Sequence, residues 1–149
     1  MKFGAVVEGW ALYAERLAWD IGFHDYDLIG ELGRLRAEAF RAARLAVDTG
    51  IHSKGWTRDQ AIEYMESNTG LPRSIVAGQI DRYVVYHGQA TAYSMGMLKI
   101  LGLRKMAEEQ LDAQFDSVAF NDLILSQGSM PLDVLEHVVD RWIAEHKND

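Results

Sequence analysis

Val6-Val7-Glu8-Gly9-Trp10-Ala11-Leu12-Tyr13-Ala14-Glu15-Arg16-Leu17-Ala18-Trp19-Asp20-Ile21 decides the reading of this chain. Its apolar residues recur at three and four positions rather than two, which is the period of a helix and not of a strand. At ~100° per residue, Glu8, Leu12, Glu15 and Trp19 share one stripe, and Trp10, Tyr13 and Leu17 share the opposite one. A helix apolar on both sides is normally buried. Buried carboxylates need a cation, hydrogen-bond donors or a metal. One resolution is that Arg16, Arg34 or Arg82 neutralises Glu8 and Glu15; the other is that they carry a function.

Outward from this segment the same period continues, and the spacing predicts an all-α fold of about seven or eight helices. Gly22 closes the first helix, with Phe23-His24-Asp25 as a connection. A second helix is expected from about Tyr26 to Asp48, stopped at Thr49-Gly50 with a left-handed glycine. Leu28, Leu32, Leu35, Ala39 and Ala42 or Ala43 should form its buried side, and Arg34, Glu38 and Arg41 its exposed, ion-paired side. Thr57-Arg58-Asp59-Gln60 fits a capping box opening a short helix that ends near Asn68-Thr69-Gly70. Pro72 suits the first turn of the next, which would run to Ile100 with a kink at His87-Gly88. Gly102 should punctuate before a helix over Leu103 to Leu111. Ser117 to Ser126 follows, and Pro131 starts the last helix, with Leu132, Leu135, Val138, Val139 and Trp142 inward. No repeat or composition shift marks a second domain, so residues 1–149 read as one helical domain.

Composition narrows function without naming it. The chain has 149 residues, 48% hydrophobic and 25% charged, which is ordinary globular composition. Fifteen Lys and Arg against 22 Asp and Glu leave a formal charge of −7, a poor footprint for nucleic acid. There is no cysteine, which excludes disulfides, thiolate metal sites and cysteine nucleophiles. No apolar run approaches the ~20 residues of a membrane span. A cytoplasmic location is expected for the chain as given. HExxH, GxxxxGK[ST] and GxSxG motifs are absent from the sequence. One further stripe stands out: Gln79, Arg82, Tyr86, Gln89 and Tyr93, bordered by Tyr83 and Ala90, if the helix runs through His87-Gly88. Hydroxyls, amides and a guanidinium on one face suit a carbonyl or carboxylate. The plainer alternative is tyrosines with apolar bodies in the core and polar tips at its edge.

Four blocks carry a resemblance. Glu8 to Glu15 (EGWALYAE), Asp48-Thr49-Gly50-Ile51-His52 with Gly55-Trp56-Thr57, Arg82-Tyr83 with Gly88 to Gly96 (GQATAYSMG), and Pro131 to Glu136 (PLDVLE) resemble, in order, a bacterial family known as domain of unknown function 885. Its members look like gluzincin metallopeptidases, so the resemblance implies the C-terminal half of such a fold, a multi-helix orthogonal bundle. In complete members, some of which are exported, an upstream HExxH-like helix supplies two zinc-binding histidines and a general-base glutamate. The resemblance implies that Glu8 is the third zinc ligand and Tyr83 a hydroxyl donor to the oxyanion. Arg82, Gln89 and Tyr93 would lie near substrate, with His52 a weaker candidate in the same cleft. His87 departs from the family's usual Pro before Gly88. With seven residues before Glu8, the chain is expected to lack the N-terminal half. It would then hold no zinc alone and act on peptides only when completed. The alternative is a stand-alone helical module without catalysis. Exposure of the first helix's Glu8, Leu12, Glu15 and Trp19 face would favour a homo-oligomer.

Overall fold

The structure is a computed structural model that describes residues 3–147. These form seven α-helices and no strand: α1 (Gly4–Asp20), α2 (Leu28–Lys54), α3 (Arg58–Thr69), α4 (Arg73–Val85), α5 (Ala92–Leu111), α6 (Ser117–Ser126) and α7 (Leu132–His146), with one 3-10 turn at Asp112–Gln114. The all-α expectation holds. Most boundaries follow the local chemistry. Gly22, at φ +79, closes the turn after α1. Asp27 caps α2 by accepting the Gly30 N–H at 2.9 Å. Thr57 and Gln60 form the expected capping box of α3, which stops at Gly70 with φ +64. Pro72 and Pro131 occupy the N-cap positions of α4 and α7.

Three boundaries differ from the sequence reading. Gly50 lies inside α2, which continues to Lys54 and ends at the left-handed Gly55. Gly50 is instead a packing position, because the Trp56 ring lies where its Cβ would be. Gly102 lies inside an unbroken α5, where continuing hydrogen bonds outweigh the propensity cost of one glycine. The helix expected to run from Pro72 through His87-Gly88 is broken. α4 ends at Val85, Gly88 takes φ +78, and α5 begins at Ala92.

Two apolar clusters build the interior. One gathers α1, α5, α6 and α7 around Leu12, Tyr13, Ile100, Phe120, Leu135 and Val139. The other gathers α2, α3 and α4 around Val47, Ile62, Met65, Val76, Ile80 and Tyr83. α1 lies directly on α5 through a pair of glycines. The position of a Cβ on Gly9 is occupied by the Gly96 backbone, and that of a Cβ on Gly96 by the Ala5 carbonyl and, at 2.8 Å, the Gly9 Cα.

The orientation of α2 reverses the expectation. Arg34 bonds Glu31 and Glu38 at 2.7 Å each, Arg16 of α1 approaches Glu38 at 3.9 Å, and Arg41 reaches Glu15 of α1 at 3.4 Å. The hydrogen bond from Arg34 holds the Glu31 carboxyl below its usual range. The charged side therefore faces α1, and Leu28, Leu32, Leu35, Ala39 and Ala42 face outward; Ala43 alone of the expected set is buried.

Replacing Gly96 by Ala should force α1 off α5 and lower unfolding free energy by about 3 kcal/mol or more. Gly102→Ala, exposed in the same helix with no neighbour within 4 Å of the added methyl, should raise stability by about 0.5–1 kcal/mol. Urea titrations of both variants check the contrast.

Candidate functional site

Glu8 sits on the α1 turn that meets α5. It is half-buried and has no hydrogen-bond or ion-pair partner among the described residues. Glu15, two turns on, is neutralised by Arg41, an arginine the sequence reading did not select. Arg16 and Arg34 serve Glu38 and Glu31, and Arg82 is exposed. The guanidinium of Arg34 lies over the Trp19 ring at 5.7 Å, and Leu12 is buried. The end of this face that carries Glu15 and Trp19 lies against the basic side of α2, with Trp19 still 48% exposed.

The helix break dissolves the proposed stripe of Gln79, Arg82, Tyr86, Gln89 and Tyr93 and replaces it with a cluster around Arg44. This arginine is only 7% exposed. Its guanidinium carbon lies over the Tyr93 ring at 4.5 Å, Tyr83 at 5.3 Å and Phe40 at 5.8 Å. Its Nη2 donates to Gln89 Oε1 at 3.1 Å, while its Nε has no partner. Tyr83 is buried, and its hydroxyl donates to Gln79 Oε1 at 3.2 Å. Burial pushes its pKa up, opposed in part by the positive charges of Arg44 and Arg82. Arg82 and Tyr86 fall outside the cluster, exposed.

One turn beyond Arg44, the buried Asp48 accepts the Gly88 N–H with both carboxylate oxygens at 3.1 Å. His52 donates from Nε2 to the Tyr83 carbonyl at 3.0 Å, and its exposed ring meets His87 at 5.8 Å. Ser94 at the start of α5 donates to the Arg41 carbonyl at 3.2 Å. Arg44, Asp48 and His52, on three successive turns of α2, therefore tie α2 to the last turn of α4 and to the connection before α5. Of the expected residues, Tyr83, Gln89 and Tyr93 come together. His52 joins them through the backbone, while Arg82 does not and Glu8 stands on a separate helix. Arg44 was missed, and Asp48 was read only as part of a family block, with no role given. The signal for Arg44 was the stripe Phe40, Arg44, Val47, Ile51, which becomes legible once α2 is carried past Gly50.

No three His, Asp or Glu side chains cluster among the described residues as a metal site would require. A catalytic zinc takes three protein ligands plus water, and Glu8 is one carboxylate. The described residues by themselves do not fit a zinc centre.

The family profile described as bacterial protein of unknown function matches residues 1–139. The chain belongs to this family, domain of unknown function 885. The crystal structure of the "putative lipoprotein" from Colwellia psychrerythraea is similar to it, with 48% identity and a TM-score of 0.92 over 95% of this chain. This chain spans 24% of the length of that protein. No curated protein matches it. Among the described residues of this family member no helix is long and apolar enough to cross a membrane.

Two predictions follow from the geometry. Asp48→Ala should strand the Gly88 N–H and cost about 1–3 kcal/mol, seen as a lowered urea midpoint. Tyr13, like Tyr83, has its pKa raised by burial. A raised folded pKa gives stability that is complete below the unfolded value near 10.0 and is lost as pH rises through the folded value. The melting temperature should therefore fall above pH 10, with two tyrosines ionising only on unfolding, read as tyrosinate absorbance during the melt.

Proposed function

We propose that this chain is the C-terminal wall of a zinc-peptidase-like cleft, a helical unit that further polypeptide completes. The observation that carries the reading is Glu8: a half-buried carboxylate in the EGWALYAE block with no partner among the described residues. Buried carboxylates are normally compensated, and a metal shared with a completing chain would do so. The length of the Colwellia protein supports the same reading, since 76% of it (100 − 24) lies outside the match. In this reading Glu8 is the one ligand this chain contributes. Gln89 and Tyr93 line the wall, with Arg82 and His52 at its exposed edge. Tyr83 is assigned by the resemblance to the oxyanion. Its hydroxyl is buried and bonded to Gln79, so in the isolated chain it supports the Arg44 cluster. No hydrolytic step is assigned to this chain by itself.

A second reading, a helical association module without catalysis, is favoured by the outward apolar side of α2. Export of the longer family members is supported by the lipoprotein description of the Colwellia relative.

Dialysis against micromolar zinc followed by metal analysis, with a fluorogenic peptide library assayed in parallel, tests the first reading. We expect far less than one zinc per chain and no cleavage. Near-stoichiometric zinc lost on Glu8→Gln, or cleavage abolished by chelator, would show a complete centre and overturn it.

A further inference from the structure

We infer that the outward stripe of α2 is a docking face for polypeptide equivalent to the part of the Colwellia protein that lies outside the shared quarter. Leu28, Leu32, Leu35, Ala39 and Ala42 recur at four, three, four and three, the spacing of a face meant for a core. Yet Leu28 is 83% exposed, Leu32 58% and Leu35 48%, and Ile29 beside them is 84% exposed. The connection before α2 adds Ile21 and Phe23, which are also exposed. Soluble monomers seldom leave contiguous apolar patches larger than a few hundred Å² uncovered. Turning α2 over would not cure this, because its opposite side is held against α1 by the Arg41–Glu15 and Arg16–Glu38 pairs.

The occupant follows from the relative. That protein keeps this fold over 95% of the present chain, with a TM-score of 0.92, and has 76% of its length left over. A face patterned for burial and left bare in the shared part is where that remainder would pack. The inference rests on the reading that the chain is part of a larger assembly. It does not depend on zinc, Glu8 or Tyr83.

The test uses two intact proteins. In this chain, the double substitution Ile29→Asp with Leu32→Asp should leave the melting temperature nearly unchanged, because both side chains already face water. In the full-length Colwellia protein, the same change at the aligned positions should lower it by roughly 10 °C or more, or prevent folding. The aligned side chains in that protein's crystal structure should be covered by the remainder of its chain. Equal melting of the altered and unaltered relative, or solvent-exposed side chains at those positions, would overturn the inference. So would light scattering showing this chain as a dimer at 50 µM (~) that the double substitution makes monomeric, since the occupant would then be a second copy. Each of these results can fail while the zinc test stands, and the reverse also holds.

Discussion

Everything else in this fold hangs on the approach of α1 to α5 at Gly9 and Gly96, where the two backbones meet with no room for a side chain. Interhelical distances are set by the residues at the crossing, and two glycines allow the closest one. That closeness seats Leu12 and Tyr13 in the larger apolar cluster. It also lets the Tyr13 hydroxyl donate to Asn121 Oδ1 of α6 at 2.9 Å. The same crossing joins two of the blocks that carry the family resemblance, EGWALYAE and GQATAYSMG. It sets Glu8 beside the first turns of α5. Glu8 is thus held by a rigid backbone contact rather than by partners of its own.

A second constraint joins the two apolar clusters. Breaking a helix frees backbone donors that must find acceptors. Asp48 supplies one for Gly88, and Arg44 fixes Gln89 three residues before α5 starts. Burying a guanidinium without a carboxylate is costly. Here three aromatic faces and one amide oxygen compensate it in part. Arg44 thereby fixes where the rings of Tyr83 and Tyr93 lie, so the tyrosine cluster is a product of α2 as much as of its own helices.

Local signals were legible in the sequence wherever a single residue settles a boundary. The capping box at Thr57, the left-handed glycines at 22 and 70, and the two prolines all read true. Glycines inside helices misled, because Gly50, which makes room for the Trp56 ring, and Gly102, which is merely tolerated in α5, both look like stops when only local propensity is weighed. The face of α2 was misread for a different reason. A stripe of leucines reports that a surface is destined for burial, not which partner buries it. α1 took the charged side because Glu15 and Arg16 were there to pair with it. The site was half legible. Tyr83, Gln89 and Tyr93 do converge, but around a buried arginine that no motif announced.

The chain is therefore a well-anchored core in which the second half of α2 is packed and its first half is held from a single side. Native-state hydrogen exchange probes that directly. Amides of α5 from 96 to 107 should exchange only through global unfolding, together with those of α1 from 9 to 13. Amides between 28 and 42 should exchange far faster, through local opening of the first half of α2. Protection across 28 to 42 equal to that of α5 would contradict the account, since it would mean that the outward face of α2 is already covered in the isolated chain.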